Sequence, residues 1–456
     1  MKAVILAAGE SKRMNSKVPK VLYKICGKEI IRYVIDACKN AGIKEVIIVL
    51  GHEADLVKKN ISEKDFSLDI EFVVQEERLG TGHAVMMAKD FFNDDEDILI
   101  LYGDTPLIGS VSIKKFIEMH ERDNNVASLI SSVIDKPKGY GRILRRDNKF
   151  IRIVEDKDCD SNQALIKEIN TGVYLFNGNF LKTALQMLSN NNAQREYYLT
   201  DTLEIIKTLS DKIGVFCVDD CNEFLGVNNK VELEFASRLM RQRINKRHME
   251  NGLIIIDAEN TYIDDEVKIG SDSVIYPNVF LEGKTEIGNE CIIRENSRIV
   301  DSQIFNKVEI DSSVILSSVI KSKVRIGPFA YIRPNCKIEE KVKIGDFVEI
   351  KNANINHGTK VAHLTYMGDA DVGSNVNFGC GTTIANYDGK NKFKTEIGDN
   401  VFIGCNSNLV APVKIGNGVY IAAGSTITDD IPEKNFAIAR ARQINKTDWT
   451  KKNPNA

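Results

Sequence analysis

The sequence has no long apolar run, and no stretch approaches the ~20 consecutive apolar residues that a membrane-spanning helix needs. Its net charge is only −3 at pH 7, which gives no electrostatic reason to expect nucleic acid or an anionic membrane as the main partner. The short apolar segment at residues 1–8 runs into Gly9 and then into charged residues without a cleavage-like region, so we expect a buried strand there and not a signal peptide. These absences predict a soluble protein of the cytoplasm.

Cysteine is present, but not in a pattern that binds metal or builds a disulfide framework. The 9 cysteines include no Cys-x-x-Cys motif, and Cys217 and Cys221, the closest two, lack nearby histidines that would complete a zinc site. We therefore expect reduced thiols. Reduced thiols agree with the cytoplasmic location predicted from the missing apolar segments.

The first half of the chain alternates short β-rich apolar runs with amphipathic helical patterns. The runs are residues 3–7, 45–50, 70–74 and 98–101, and the helical patterns include 30–41 and 82–89. This alternation is typical of an α/β, Rossmann-like domain, with a mostly parallel sheet covered by helices. Because 456 residues are too many for one ordinary core, we predict that this domain covers 1–228 and that the charged stretch 229–250 is a helical linker.

From residue 251 onward the periodicity changes to six. Ile or Leu stands at every sixth position in three runs, over residues 263–299, 320–350 and 397–427, and Gly often follows. A step of six fits neither a helix nor a hairpin strand, but it fits a parallel β-helix in which each hexad forms one short strand with an aliphatic residue inside. We therefore predict a hexapeptide-repeat β-helix over 251–456. The segment 385–395 interrupts the repeat, and such insertions commonly build binding sites.

A glycine-bearing loop follows the first predicted strand. The segment reads Leu6-Ala7-Ala8-Gly9-x-x-x-Arg13-Met14, and Pro19-Lys20 comes shortly after it. Backbone N–H groups at such a turn can hold phosphates, while Arg13 and Lys20 neutralise their charge. The loop matches neither Gly-x-x-x-x-Gly-Lys-Ser/Thr nor Gly-x-Gly-x-x-Gly, which disfavours a dinucleotide dehydrogenase.

This loop resembles the signature of the sugar-1-phosphate nucleotidyltransferases. Further matches follow in order at Gln75, Leu79-Gly80-Thr81-Gly82, Tyr102-Gly103-Asp104, Gly139-Tyr140-Gly141-Arg142, Glu155, Asn170-Thr171-Gly172 and Gly226-Val227-Asn228-Asn229. With the hexad region behind it, the chain resembles the family of bifunctional N-acetylglucosamine-1-phosphate uridyltransferases/glucosamine-1-phosphate acetyltransferases. That family implies a left-handed parallel β-helix and a homotrimer.

The resemblance assigns roles to the residues of the first half. Gln75, Gly80 and Thr81 would read the uracil edge of UTP, Gly141, Glu155 and Asn170 would hold the amino sugar, and Arg13 would act in catalysis with Lys20. The implied nucleotide- and sugar-binding set also includes Leu6, Ala7, Ala8, Gly9, Tyr102 and Asn228. Asp104 and Asn228 would bind Mg²⁺. Asp104 follows a predicted strand, at the edge where open α/β sheets bind ligands, and its hard oxygen suits an ion shared with phosphates.

Polar residues break the aliphatic pattern of the second half. His363 stands among them, and histidine suits the base that an amine needs when it is acylated near neutral pH. The resemblance gives His363 this role and assigns glucosamine-1-phosphate to Arg333, Lys351, Tyr366, Asn377 and Lys392. Acetyl-coenzyme A would contact Cys380, Asn386, Tyr387, Cys405, Ala423 and Arg440. Cys380 and Cys405 stand where the family has Ala and Ser, and we expect cofactor binding to survive with thiols that oxidants can reach.

The resemblance thus implies an enzyme that acetylates glucosamine-1-phosphate and then transfers UMP from UTP to the product, releasing pyrophosphate and supplying peptidoglycan and lipopolysaccharide precursors. A monofunctional nucleotidyltransferase with a structural β-helix is the nearest alternative, but it should lack the His363 motif and the 386–392 loop. A non-catalytic interaction protein with the same two-domain plan is the other alternative. The set of Arg13, Lys20, Asp104 and Asn228 argues against that reading.

Overall fold

The computed structural model describes residues 1–10, 12–63, 66–147, 149–447 and 449. The chain divides into two compact units, Met1–Met240 and Arg241–Ala456. The division falls inside a 21-residue helix, Lys230–Glu250, so the boundaries at 228 and 251 stay predictions. In the described part of the chain, no helix is long and apolar enough to cross a bilayer.

The first unit is a sheet with helices packed on its two sides. Its strands are β1 (Lys2–Ala7), β2 (Lys24–Ile25), β3 (Lys28–Glu29), β4 (Glu45–Leu50), β5 (Asp69–Val74), β6 (Asp97–Tyr102), β7 (Ala127–Val133), β8 (Arg142–Arg146), β9 (Lys149–Val154), β10 (Glu168–Asn177) and β11 (Ile213–Val218). Its helices are α1 (Ile30–Ala41), α2 (Ala54–Ser62), α3 (Thr81–Met86), α4 (Ser110–Arg122), α5 (Gly178–Met187), α6 (Asp201–Leu209) and α7 (Lys230–Glu250), which continues into the second unit. The predicted α/β, Rossmann-like class is confirmed.

The strand order of the main sheet is β11-β7-β10-β6-β1-β4-β5. The pairs β1–β4, β1–β6, β4–β5 and β7–β11 are parallel, whereas β10 runs antiparallel to both neighbours and the β8–β9 hairpin attaches to it. Each central strand is buried on both sides, because separate apolar clusters lie on either face of the sheet. Helix α3 is shorter than the predicted 82–89 pattern, which a 3₁₀ turn at Lys89–Phe91 continues.

The second unit is a parallel β-helix built from three ladders of short strands. The first ladder holds Ile254–Ile255, Val274–Ile275, Ile292–Ile293, Glu309–Ile310, Arg325–Ile326, Lys343–Asp346, Lys360–His363, Asn377–Phe378, Phe402–Ile403, Tyr420–Ile421 and Phe436–Ala437. The second holds Thr261–Ile263, Val279–Glu282, Arg298–Val300, Val314–Leu316, Tyr331–Ile332, Thr383–Ala385, Asn408–Val410 and Thr426–Ile427. The third holds Lys268–Ile269, Glu286–Ile287, Gln303–Ile304, Val319–Ile320, Lys337–Ile338, Thr395–Ile397 and Val413–Ile415. Two long strands, Glu349–Ile355 and Tyr366–Val372, belong to both the second and the third ladder.

The aliphatic residue of each hexad points inward, as the spacing predicts. Every member of the three predicted runs is buried except Ile269, which is half-buried. Identical or similar residues stack on one another in register, for example Ile332 on Ile350 and Ile350 on Met367. The core is therefore one continuous aliphatic column, and each coil buries its apolar face against its neighbours.

Removing an inward side chain should destabilise this column. We expect Ile350→Ala to lower the free energy of unfolding of the β-helix by about 2–5 kcal/mol, because the neighbouring coils cannot fill the cavity. Ile254→Ala is the matched control, since Ile254 lies in the same unit and is 52% exposed. Urea titration of the full chain followed by circular dichroism measures both variants. An equal loss in the two would contradict the inward stacking.

Candidate active sites

A first cavity, which we call the loop cavity, opens where β1 ends. It has a volume of about 390 Å³. It is lined by Leu6, Ala7, Ala8, Gly9, Lys20, Gln75, Gly80, Thr81, Tyr102, Asp104 and Asn228, all predicted from the sequence, and by Glu10, Arg78, Ala84 and Glu196, which were not. Parallel pairing of β1 with β4 and β6 brings the loops after these strands to one edge of the sheet. Ligands of open α/β sheets bind at that edge.

At one end of the loop cavity, hydrogen bonds and close backbone packing fix the groups around Gln75. Its buried side-chain amide donates to the carbonyl of Gly80 at 3.1 Å and lies 3.0 Å from Nδ1 of His83. Gly80 has φ +105°, and a Cβ there would lie 2.6 Å from the carbonyl oxygen of Tyr197. Thr81 accepts a hydrogen bond from the backbone N–H of Leu199. This end of the cavity therefore offers fixed amide and backbone groups, which suit the edge of a planar base.

At the other end, Lys20 joins the two residues predicted to bind Mg²⁺. Its ammonium contacts the carboxylate of Asp104 and donates to Oδ1 of Asn228 at 3.1 Å. The two oxygens thus converge on one cation in the structure, and both are hard ligands of the kind that Mg²⁺ prefers. Among the described residues no cluster of three or more His, Cys, Asp or Glu could hold a metal. The pair therefore fits an ion whose other ligands are phosphate oxygens and water.

The start of α7 fixes the position of Asn228. The side chain of Asn229 accepts hydrogen bonds from the N–H groups of Val231 and Glu232, while the Glu232 carboxylate accepts from the N–H of Asn228 at 2.7 Å. Asn229 thus caps the start of the helix, while Glu232 reaches back to the residue before the cap and holds the backbone of Asn228. The N–H of Val227 also donates to the carbonyl of Asp104. The two oxygen ligands are thus tied together through the main chain.

A second cavity, which we call the β10 cavity, has a volume of about 420 Å³. It is lined by the predicted residues Arg13, Tyr102, Asp104, Gly141, Glu155, Asn170 and Asn228, and also by Lys138, Tyr140, Thr171, Gly172, Phe224, Glu232 and Phe235. Tyr102, Asp104 and Asn228 line both cavities. The two cavities therefore meet at the predicted metal ligands, where groups from two substrates could react.

The wall of the β10 cavity depends on an irregularity in β10. The register with β7 shifts between Asn170 and Tyr174. Within it, Asn170 accepts from the N–H of Gly172 and donates to the hydroxyl of Tyr174 at 2.6 Å. Gly172 has φ +85°, and a Cβ there would collide with the ring of Tyr102. The bulge thus turns Asn170 toward the cavity and lets Tyr102 lie against the backbone.

Two carboxyl groups beside this wall are poorly solvated. Burial raises the pKa of Glu155, and the negative charges of Asp158 and Asp156 raise it further, although Thr200 donates a hydrogen bond to its carboxylate. Burial also raises the pKa of Asp201 to about 6, with Glu204 and Glu155 adding to the shift. Of the two, Glu155 lines the β10 cavity, and a perturbed carboxyl group in a cavity is typical of a functional site.

Arg142 ends the matched motif Gly139-Tyr140-Gly141-Arg142, and the structure gives it a supporting role at the same cavity. Its side chain is only 2% exposed. The guanidinium donates to the carbonyl of Tyr140 and to Asp156 at 2.9 Å. It therefore links Tyr140, which precedes Gly141, to Asp156, which follows Glu155. Gly141 and Glu155 are two of the residues expected to hold the sugar. The motif match marked this arginine, but its burial was not predictable, since arginines usually lie at the surface.

In the β-helix, His363 ends a strand of the first ladder and carries a carboxylate partner. Its Nδ1 lies 2.5 Å from Oδ1 of Asp346, the residue paired with it in the preceding coil. This hydrogen bond lowers the pKa of Asp346. In the tautomer with the proton on Nδ1, this nitrogen donates to the carboxylate and Nε2 is left as the acceptor. The imidazole is thus oriented and exposed to solvent.

The predicted sugar-phosphate residues gather on the outer side of the second ladder. Arg333 donates to Glu349 in the next coil at 2.9 Å. Lys392, in the inserted loop, lies beside Lys351 and lowers its pKa. A Cβ built on Gly368 would lie 2.7 Å from the Tyr366 hydroxyl and 2.6 Å from the Asn386 amide, so these polar groups share one small space. Two neighbouring lysines, with Asp369 as a nearby carboxylate, give this space positive charge that suits a phosphate ligand. Asn377 stands apart, at the start of a first-ladder strand paired with Lys360.

Most of the predicted coenzyme residues lie along the edge that contains His363. In the ladder Val361 pairs with Phe378, Phe378 with Ile403, and Ile403 with Ile421. Two residues beyond each of these stand His363, Cys380, Cys405 and Ala423, all half-buried or exposed. We call this set the outer row. A Cβ on Gly424 would lie 3.8 Å from Cδ of Arg440, so that side chain lies at the end of the row. Asn386 is buried and Tyr387 exposed at the start of the inserted loop.

Comparison with known proteins gives matches to both units. The nucleotidyl transferase family model matches residues 2–219, the bacterial transferase hexapeptide model matches 317–352 and 394–429, and the GMPPB C-terminal domain model matches 258–332. A curated protein of Thermoanaerobacter pseudethanolicus, named Bifunctional protein GlmU, is 55% identical over 447 residues, which cover 98% of this chain and 96% of that protein. The protein of the same name in Clostridioides difficile is 50% identical over 452 residues, 99% of this chain and 97% of that protein.

A side chain at position 80 should close the loop cavity. We expect Gly80→Ala to weaken nucleotide binding by at least tenfold, because the added Cβ meets Tyr197 and the backbone must leave the left-handed region. Gly42→Ala is the matched control. Gly42 has φ +96° with no atom within 4 Å of an added Cβ, so this variant tests a positive φ without the collision. Titration calorimetry with UTP measures both, and equal binding by the two variants would refute a structural role for Gly80.

Proposed function

The chain belongs to the family of bifunctional GlmU proteins, and from that membership we propose how its two sites make UDP-N-acetylglucosamine. The β-helix unit acetylates glucosamine-1-phosphate with acetyl-coenzyme A. The α/β unit transfers UMP from UTP to the resulting N-acetylglucosamine-1-phosphate and releases pyrophosphate, for use in cell-wall precursors. The observation that carries this proposal is the joining of Asp104 and Asn228 by Lys20 where the two cavities meet.

Uridyl transfer at this junction requires no protein nucleophile. A phosphate oxygen of the sugar phosphate in the β10 cavity attacks the α-phosphorus of UTP in the loop cavity, and the bond to pyrophosphate breaks. Asp104 and Asn228 would hold Mg²⁺, which would supply positive charge to the phosphates. Arg13 and Lys20 stabilise the negative charge that passes to pyrophosphate. Leu6, Ala7, Ala8 and Gly9 surround the phosphates with main-chain groups.

The two substrates are held at opposite sides of this junction. Gln75, Gly80 and Thr81 receive the uracil edge, for which the fixed amide of Gln75 gives directional hydrogen bonding. Gly141, Glu155 and Asn170 hold the amino sugar, and Tyr102 separates the two cavities. Poor solvation of Glu155 makes each hydrogen bond to a sugar donor stronger than in water. These positions fix the reacting oxygen near the α-phosphorus.

Acetyl transfer uses His363 as the general base. The amine of glucosamine-1-phosphate attacks the thioester carbonyl, the C–N bond forms, the C–S bond breaks and coenzyme A leaves as its thiol. His363 takes the proton from the attacking nitrogen and returns it to the leaving sulfur, and the carboxylate of Asp346 keeps the imidazole in the required tautomer. Arg333, Lys351 and Lys392 bind the phosphate, while Tyr366 and Asn377 bind the sugar. Asn386, Tyr387, Cys380, Cys405, Ala423 and Arg440 contact acetyl-coenzyme A.

A homotrimer would complete the acetyltransferase site. One coil edge is an open surface and cannot enclose a ligand alone. Next to His363, an apolar column of Phe329, Phe347 and Leu364 is exposed by 58%, 58% and 56%, and the two phenylalanine rings stack at 5.5 Å. Exposed apolar patches of this kind mark interaction surfaces, and a parallel copy of the β-helix would cover them.

For the whole enzyme we propose the cytoplasm as its location, where UTP, acetyl-coenzyme A and reduced thiols occur together.

Two substitutions should separate the activities. His363→Ala should lower acetyl transfer by about 10²–10⁴-fold, because the proton acceptor is lost, and leave pyrophosphate release unchanged. Asp104→Ala should lower pyrophosphate release by at least about 10²-fold and leave acetyl transfer unchanged. Coupled assays of coenzyme A and of pyrophosphate measure both activities on one preparation.

Two controls accompany these variants. His357→Ala removes another exposed histidine of the β-helix, and Asp94→Ala removes an exposed carboxylate of the first unit. Both variants should keep both activities. Loss of the two activities together in either active-site variant would exclude two independent sites.

A further inference from the structure

Two cysteines of the outer row face each other across neighbouring coils. The pairs Asn377–Phe402 and Phe378–Ile403 fix the register. This register continues as far as the cysteines. The N–H of Gly379 donates to the carbonyl of Ile403 at 2.7 Å, and the N–H of Asn406 donates to the carbonyl of Cys380 at 2.8 Å. Cys380 therefore stands opposite Cys405, on backbones separated by about 4.8 Å.

The packing of the main chain holds the two coils close together at this point. A Cβ on Gly379 would collide with the backbone of Cys405, and one on Gly404 would collide with that of Ala423. Glycine thus precedes each cysteine because the coils approach too closely for a side chain. A separation of about 4.8 Å lies within the 4.4–6.8 Å range of Cα distances found across disulfides.

Both thiols can be reached from solvent, in contrast to the other cysteines of the β-helix. Cys405 is exposed and Cys380 half-buried, whereas Cys291 and Cys336 are buried, and burial raises the pKa of both of those thiols. All nine cysteines lie in the described part of the chain, and none is in a disulfide. The pair is therefore in the reduced form, with a partner thiol one coil away.

We propose that Cys380 and Cys405 form a reversible dithiol–disulfide site that reacts with small-molecule disulfides. The thiolate of the more exposed Cys405 attacks one sulfur of the small disulfide, the S–S bond breaks, and one small thiol leaves. Cys380 then attacks Cys405 Sγ in the mixed disulfide, and the second small thiol leaves. Two protein thiols are oxidised, one small disulfide is reduced to two thiols, and the two protons pass to these products.

The disulfide would inhibit acetyl transfer, a consequence that rests on the proposed function. The register places Cys380 next to His363 and Cys405 next to Ala423 in the outer row. Acetyl-coenzyme A is proposed to lie along this row. A disulfide there consumes both thiols and so removes two of the proposed contacts of acetyl-coenzyme A. The α/β unit carries neither cysteine, so uridyl transfer should continue.

The test treats the full-length protein with oxidised glutathione, followed by non-reducing peptide mapping and both activity assays. We expect a peptide pair linked through Cys380 and Cys405, at least a tenfold fall in acetyl transfer that dithiothreitol reverses, and unchanged uridyl transfer. The fall is measured as the ratio of activity before and after oxidation. In Cys405→Ser the linked pair and the fall should both disappear, whereas Cys217→Ser, which removes an exposed cysteine of the first unit, should respond like the parent.

Absence of the linked pair would overturn the proposal, and so would a linked pair with undiminished acetyl transfer. Failure of the proposed function is a different result, because the reduced protein would then transfer no acetyl group before any oxidant is added. Peptide mapping still tests the dithiol site in that case. A fall in activity that persists in Cys405→Ser would show that another residue is modified and would also refute the site.

Discussion

Parallel pairing in register is the constraint on which both sites depend. In the α/β unit it brings the ends of β1 and β6 to one edge, so that Gly9 and Asp104 reach the same cavity although they are far apart in sequence. In the β-helix it places Asp346 beside His363. Neither site is made from a local segment. Each is made because strands of the same direction end together and deliver their following residues to a common edge.

The sequence predicts well those elements whose pattern of apolar and polar residues is visible within the element itself. Strand β4 and helix α1 have the predicted bounds, and the six-residue step predicted which residues of the β-helix are buried. The antiparallel direction of β10 was not predictable, because it is decided by its neighbours and not by its own pattern. The partner of His363 could have been found. Asp346 precedes it by 17 residues, which is the offset between Ile344 and Val361 in neighbouring coils.

The α/β site is assembled at some expense of stability. In Glu155 burial raises the carboxyl pKa above its ordinary value of 4.5, so the folded state holds that proton more tightly than the unfolded chain does. The stability associated with this group is therefore present below the ordinary pKa and declines as the pH rises through the raised one. The hydrogen-bonded Asp346 has the opposite sign, because its lowered pKa favours the folded state above the ordinary value. Desolvation that costs stability at Glu155 is what makes the cavity an effective place to bind polar groups.

The β-helix separates stability from chemistry more completely than the α/β unit does. Inward residues such as Ile350 and Ile403 form the column that stabilises the coils, while the outer row contributes little to that column because its side chains point away from it. A substitution in the outer row therefore changes what the edge can bind or react with at small cost to folding. Two of the positions that precede the row are restricted, since a Cβ added to Gly379 or Gly404 would collide with the backbone of the next coil. A pair of thiols can be accommodated at such an edge for this reason. The fold restricts the backbone beside these positions but does not restrict which side chains they carry.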